Sequence, residues 1–322
     1  MRFGFVDHPS PRREPTLKPR LGGLALYLSF VLAILISAPL VETRTIDESR
    51  RIVGLLVGST VVLAMGAVDD RFELGPAPQF VFQLLGALIA VFFGFNVNPV
   101  NNPFGNPLTD NGVLFLPLVV AIPLTVFWFM GSMNTINFVD GLDGLAAGVG
   151  GIAAVVLAVH SLQQAQYSIA VLPMALGGAT LGFLVHNFSP AKITMGTSGS
   201  VFLGFALASL SIIGGTKAAT VLLVLGIPIV DVGWQIVSRL LRGQSPFYGD
   251  RNHLHHRLRD IGFRDWQIVL LLYLLCGTFG TLALVLSSRL MKLYAMGAVL
   301  LVVGALLLLV TQGGLTRKAD KG

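Results

Sequence analysis

The 322-residue chain is 54% hydrophobic and only 12% charged, with a mean hydropathy of +0.77, where a soluble domain averages about a quarter charged. These values exclude a water-soluble globular domain and a disordered chain, and they imply an integral membrane protein. The formal charge of +6 and the pI near 9.8 fit the basic inner loops of such a protein. No nucleic-acid partner is expected; anionic membrane lipids and phosphorylated substrates are the natural counterions.

Met1–Arg20 is polar and basic, so a cytoplasmic N-terminal segment without a cleavable signal peptide is expected. Ten apolar runs follow, near 21–41, 52–68, 79–95, 113–133, 143–160, 168–187, 199–214, 218–239, 267–287 and 291–311. Each approaches the roughly 20 residues a helix needs to cross the hydrocarbon core. Lipid offers no partner to a backbone amide, so such runs must be helical, and the alternating pattern of a membrane barrel is absent. The expected fold class is all-α, a polytopic membrane bundle of about ten transmembrane helices over residues 21–311, with 312–322 as a cytoplasmic tail. The lone Cys276 falls within a run and reads as a core thiol rather than part of a disulfide framework.

Lysine and arginine are hard to translocate and mark the cytoplasmic side. With both termini inside, most of the 22 Lys and Arg fall on inner segments, leaving Arg44, Arg50, Arg51, Lys217, Arg289 and Lys292 outside. The outer stretch 96–112 is rich in Asn, Pro and Gly and has no basic residue. This orientation gathers the inner loops near 69–77, 133–143, 187–199 and 240–266 on one face, and the chemistry-bearing residues are in them.

Four inner pieces stand out. Asp69 and Asp70 end the second run, where the partial negative charge of a helix C-terminus disfavours acids unless a cation offsets them. The stretch Asn134–Leu145 carries Asn137, Asp140 and Asp143 among Gly141 and Gly144, before an inward-facing helix N-terminus that presents free amides to an anion. The third piece holds Asn187 and Lys192 before Met195-Gly196-Thr197-Ser198-Gly199-Ser200, a plausible phosphate cradle with Lys192 as its point charge. The fourth holds Arg251, His253, His255 and His256. With no cysteine nearby and no histidine pair four apart, imidazoles and guanidiniums fit a diphosphate better than zinc. Asp231, inside the eighth run, is an intramembrane acid and a functional or hydrogen-bonding candidate.

Together these residues resemble the polyprenyl-phosphate N-acetylhexosamine-1-phosphate transferases, relatives of the phospho-MurNAc-pentapeptide transferase. The resemblance runs from Asp7 to about Leu286. Asp7-His8-Pro9 with Arg12, Arg13 and Gly22-Gly23 is similar to the family's first loop, Asp69-Asp70 to its aspartate pair, and Asn134–Leu145 to NxxNxxDGxDGL. Asn187–Ser200 and Asp250–Leu258, with Pro228 and Asp231, follow the family order. The resemblance implies a bacterial inner-membrane enzyme with a cytoplasmic active site. It would move sugar-1-phosphate from a UDP-sugar to undecaprenyl phosphate, releasing UMP, with Mg2+ or Mn2+ as cofactor and a homodimer as its assembly. It also implies roles: Asp69 and Asp70 in metal contact and activation of the lipid phosphate; Asn137, Asp140, Asp143 and Asn187 on the nucleotide; Lys192, Arg251, His253, His255 and His256 around the diphosphate, with Asp231 among the substrate-binding set.

The chain departs from the family at Thr197, where most members carry an Asp metal ligand, and at Pro15, where the first loop usually has His; the family's usual first span is not expected within it, through truncation, a misplaced start or real loss. His-Leu-His-His-Arg-Leu is similar to the branch using UDP-N-acetylglucosamine for teichoic acid, lipopolysaccharide O-antigen or other surface glycans, so N-acetylglucosamine is the expected sugar. The alternatives are the phospho-MurNAc-pentapeptide reaction and a non-catalytic lipid-phosphate binder or transporter. A transporter would more readily show repeated halves and broken mid-membrane helices, neither of which is evident in the sequence.

Overall fold

A computed structural model of the chain describes residues 6–7, 18–41, 44–101, 113–213, 215, 218–243, 253–286 and 288–319. In chain order, strands β1 (Val6–Asp7) and β2 (Lys18–Pro19) pair antiparallel, and α1 (Gly22–Ser37) leads through a 3-10 turn at Ala38–Leu40 to α2 (Ile46–Phe72) and α3 (Pro76–Phe92). A second antiparallel pair, β3 (Val100–Asn101) with β4 (Val113–Leu114), precedes α4 (Leu118–Val139), α5 (Leu145–Gln163), α6 (Tyr167–Asn187) and α7 (Gly196–Ile212). The chain closes through α8 (Ala218–Val224), α9 (Gly226–Leu241), α10 (Leu254–Asp260), α11 (Asp265–Val285) and α12 (Arg289–Ala319).

The ten apolar runs are therefore helical over most of their lengths, and the all-α membrane bundle stands. Among the described residues six helices are long and apolar enough to cross a membrane: α1 with its 3-10 turn, α2, α4, α5, α6 and α11. Helices α3 and α7, and Leu290–Leu306 within α12, are apolar but shorter. The run 218–239 corrects the expectation of unbroken spans, because it bends by 77° between α8 and α9. Pro228 cannot donate a backbone hydrogen bond to Val224, and Gly226, the first residue of α9, is packed so closely on Val299 of α12 that a Cβ would overlap it.

Helix α7 sets the centre. Every residue from Ser198 to Ile212 is buried, as expected of a helix apolar on all sides. It contacts α1, α2, α3, α4, α5, α6 and α8. Small residues make that possible. A Cβ on Gly23 of α1 would strike Gly199, one on Gly66 of α2 would strike the Ser198 backbone, and one on Gly204 would strike Met133 of α4. In lipid, where no hydrophobic force drives helices together, such close backbone approach is a main source of association. Gly148 and Gly151, whose small size could also have served a homodimer, meet Tyr273 and Thr180 of the same chain instead. At the far end α2 begins with a capping box, Thr45 Oγ1 accepting from the Glu48 amide at 3.2 Å and Glu48 Oε2 from the Thr45 amide at 2.9 Å.

The glycine contacts make a paired prediction. Gly66→Ala forces its methyl into the α7 backbone and should destabilise the detergent-solubilised protein by about 1–3 kcal/mol. Gly178→Ala, where the added Cβ meets open space, should be neutral or stabilise by up to about 1 kcal/mol. Thermal unfolding followed by tryptophan fluorescence separates the two.

Candidate functional site

Four chain segments meet at one end of the bundle: the C-terminus of α2, the α4–α5 turn, the α6–α7 loop, and the strand that leads into α1. Between them lies a cavity of about 340 Å³, lined by Asp69, Asp70, Asn137, Asp140, Asp143, Asn187 and Thr197 of the expected residues, and also by Arg20, Glu73 and Gln79.

Asp70 is the most constrained of these groups. Its Oδ1 accepts from the Thr197 amide at 2.7 Å, and its Oδ2 accepts from the Ser198 amide at 3.0 Å and the Ser198 hydroxyl at 2.6 Å. A carboxylate from α2 thus caps the N-terminus of α7, satisfying amides that have no partner within the helix and meeting its positive dipole end. The close fit requires Gly196, which has φ +72° and whose Cβ would lie 2.6 Å from the Asp70 carboxylate. The offset expected from a cation at the end of α2 comes here from the start of α7.

Asp69 is buried beside it. Its Oδ1 accepts from the Leu74 amide and from Gln79 Nε2, both at 2.9 Å, and its backbone carbonyl accepts from the amide of Glu73. Glu73 takes the left-handed conformation at φ 48°, which reverses the chain out of α2. Arg20 reaches Glu73 Oε1 at 3.3 Å and the Asp70 carbonyl at 3.5 Å.

The α4–α5 turn is tied to the α6–α7 loop by two side chains. Asn187 Oδ1 accepts from the Gly144 amide at 3.1 Å while its Nδ2 donates to the Ile193 carbonyl at 2.9 Å. Asp143 Oδ2 accepts from the Ala191 amide and from Lys18 Nζ, both at 3.0 Å. Asn187 is thus a buried clasp between two backbones as well as a wall of the cavity. Lys192, expected at the phosphate, is exposed on the loop and does not line the cavity. Arg20 lines the cavity, and Lys18, which does not, pairs with Asp143, which does. In the sequence they count only as positive-inside charges, and the available signal was their spacing of two just before Gly22-Gly23.

The histidines form a separate cluster behind the α4–α5 turn. Asp231 accepts from the Leu254 amide at 2.9 Å through Oδ1, so it caps α10, and its Oδ2 lies 2.9 Å from His253 Nδ1. The His253 ring stacks on Phe138 and, within 4° of parallel, on His255, each at 5.6 Å between centroids. His255 and His256 are 4.2 Å apart. A Cβ on Gly141 would sit 2.7 Å from His255 Nε2, so this glycine lets the cluster press against the turn that bears Asp140 and Asp143. None of the three histidines lines the cavity itself. Arg251 lies outside the described residues.

Comparison with known proteins follows the same segments. The family model described as "Glycosyl transferase family 4" matches residues 52–215. The probable undecaprenyl-phosphate N-acetylglucosaminyl 1-phosphate transferase of Bacillus subtilis (strain 168) is 34% identical over 89% of this chain and 79% of its own length. The decaprenyl-phosphate N-acetylglucosaminephosphotransferase of Mycolicibacterium smegmatis is 34% identical over 86% and 74%. A phospho-N-acetylmuramoyl-pentapeptide-transferase of Anoxybacillus flavithermus is 31% identical over 82% of each chain.

The hydrogen bonds separate the two aspartates in a stability measurement. Asp70→Asn presents one acceptor to three donors and should lower the unfolding midpoint of the ligand-free protein, by about 1–3 kcal/mol. Asp69→Asn keeps an oxygen for Leu74 and Gln79 and should cost less. Equal midpoints would contradict the capping role.

Proposed function

Because this chain belongs to glycosyl transferase family 4, we propose that it transfers N-acetylglucosamine-1-phosphate from UDP-N-acetylglucosamine to undecaprenyl phosphate, releasing UMP, as the first membrane step of a cell-surface glycan pathway. The observation that carries this reading is the single cavity into which Asp69, Asp70, Asn137, Asp140, Asp143, Asn187 and Thr197 converge from three distant segments. The relatives named for an N-acetylglucosamine donor cover more of the chain, at higher identity, than the pentapeptide transferase does, which favours that sugar. We place the cavity at the cytoplasmic face of a bacterial inner membrane, on the distribution of Lys and Arg, with a homodimer as the assembly to test.

In the reaction an oxygen of the lipid phosphate attacks the β-phosphorus of the sugar nucleotide, the bond from that phosphorus to the bridging oxygen breaks, and UMP leaves with the electron pair. Transfer of this kind depends on positioning and on neutralising charge. In our assignment Asp69 faces the acceptor phosphate, and Asn137, Asp140, Asp143 and Asn187 border the nucleotide. The cavity donors suit Mg2+ because they are carboxylate, amide and hydroxyl oxygens, the ligand type hard divalent cations prefer. Among the described residues no three acidic, histidine or cysteine side chains are arranged as a ready cage, which agrees with the habit of Mg2+ to take one or two carboxylates and complete its shell with water and phosphate. Asp69, whose Oδ1 alone is engaged among the described residues, would hold it with Asp70 beside it. Bound there, Mg2+ would neutralise phosphate charge. The histidine cluster supports the turn bearing Asp140 and Asp143 from behind.

Thr197 favours a second reading, a lipid-phosphate-binding pseudoenzyme, since a neutral hydroxyl is a weak magnesium ligand. A transporter finds less support. The one broken span among the described residues, α8–α9, carries Asp231, and both its carboxylate oxygens are engaged at the start of α10.

Purified protein in detergent, given undecaprenyl phosphate and UDP-N-acetylglucosamine, should release UMP only with Mg2+ or Mn2+, and Asp69→Asn should lower the rate by about 10²-fold or more. Activity seen only in Thr197→Asp would establish the pseudoenzyme. Silence in both would overturn the transferase reading.

A further inference from the structure

Among the described residues that line the cavity, Asp69, Asp70, Glu73, Asp140 and Asp143 are acidic and Arg20 alone is basic. A polyanion entering such a space meets like charge on most sides. Lys18 is not part of that lining, but its ammonium sits at 3.0 Å on Asp143, which is, with the Lys18 side chain 15% exposed. Resting on the proposed sugar-nucleotide reading, we propose that Lys18, with Arg20, is the protein's own contact for the diphosphate of the sugar nucleotide, held at the cavity rim by Asp143.

Three features of the fold support this role. Lys18 and Arg20 are two residues apart at the end of β2, and their side chains reach Asp143 and Glu73, both of which line the cavity. The segment is fixed by its backbone: the Pro19 carbonyl accepts from the Thr194 amide at 3.1 Å, Gly22 donates to the Thr194 carbonyl at 3.1 Å and Gly23 to the Met195 carbonyl at 3.0 Å, while β1 pairs along its other side. The two cations are thereby locked to the same loop that delivers Thr197. Asp143, finally, does not depend on Lys18 for its position, because the Ala191 amide also donates to it. A compact ammonium with three donors keeps its carboxylate partner and still reaches a phosphate oxygen.

The test is direct binding of UDP and of UMP, by calorimetry in detergent with Mg2+ present, to the unaltered protein, Lys18→Met and Lys18→Arg, together with the ligand-free unfolding midpoint of each. The expected result is a loss of UDP affinity of about tenfold or more in Lys18→Met, as for one charge-assisted hydrogen bond. UMP, which lacks the second phosphate, should lose less than about threefold, and Lys18→Arg should recover most of the UDP affinity. Equal loss for both nucleotides with a lowered ligand-free midpoint would make Lys18 a structural strut and overturn the inference, as would unchanged UDP affinity. In both of those cases UDP binding by the unaltered protein leaves the transferase reading standing; its absence in the unaltered protein would overturn both.

Discussion

The site depends on one carboxylate. Asp70 ends α2 and starts α7, and the bond between them joins the most buried helix of the bundle to the floor of the cavity. Two unfavourable charge placements cancel in this contact. An acid at a helix C-terminus and a set of amides without partners at a helix N-terminus each cost free energy alone; together they form two hydrogen bonds, and the Ser198 hydroxyl adds a third. Because α7 touches nearly every other helix of the core, the register of Asp70 against Thr197 and Ser198 is transmitted to α1, α2 and α4 through glycine contacts that leave no room for slippage.

The same logic of bridging recurs around the cavity. Asp143 joins the α4–α5 turn to the α6–α7 loop and to the N-terminal strand, Asn187 joins that turn to that loop, and Asp231 joins α9 to α10. Asp143 and Asn187 therefore hold two backbones together while one edge faces the cavity. Such groups are preorganised, so little rearrangement is required when a polyanionic substrate binds. Substitution at any of them mixes a loss of site chemistry with a loss of loop geometry, and kinetic data on such variants need a stability measurement beside them.

Much of this was legible in the sequence. The apolar runs gave the helices, since lipid leaves a backbone no alternative, and the clusters at Asp69-Asp70 and Asn134–Leu145 gave most of the cavity wall. The long-range pairings were not legible. Asp70 finds its donors 127 and 128 residues away and Lys18 finds Asp143 at a separation of 125, distances at which neither period nor propensity carries information. Lys192 neighbours the Gly/Ser turn in sequence but is exposed and outside the cavity lining, whereas the fold brings Lys18 onto Asp143. The break at Leu225 had a visible cause in Pro228, but a proline in an apolar run permits a kink as readily as a break; the close packing of Gly226 on Val299 at the bend is not visible in the sequence. His253 stacks on Phe138 and His255 lies over Gly141, contacts that their charge alone does not disclose.

Hydrogen exchange at the start of α7 tests the central contact most directly. In the ligand-free protein, peptides covering Met195–Gly199 should be as protected as the interior of α7 and should lose that protection in Asp70→Ala, while peptides from α5 stay unchanged. Fast exchange at Thr197 and Ser198 in the unaltered protein would contradict the account, because it would mean that the amides are open to water and the carboxylate of Asp70 does not hold them.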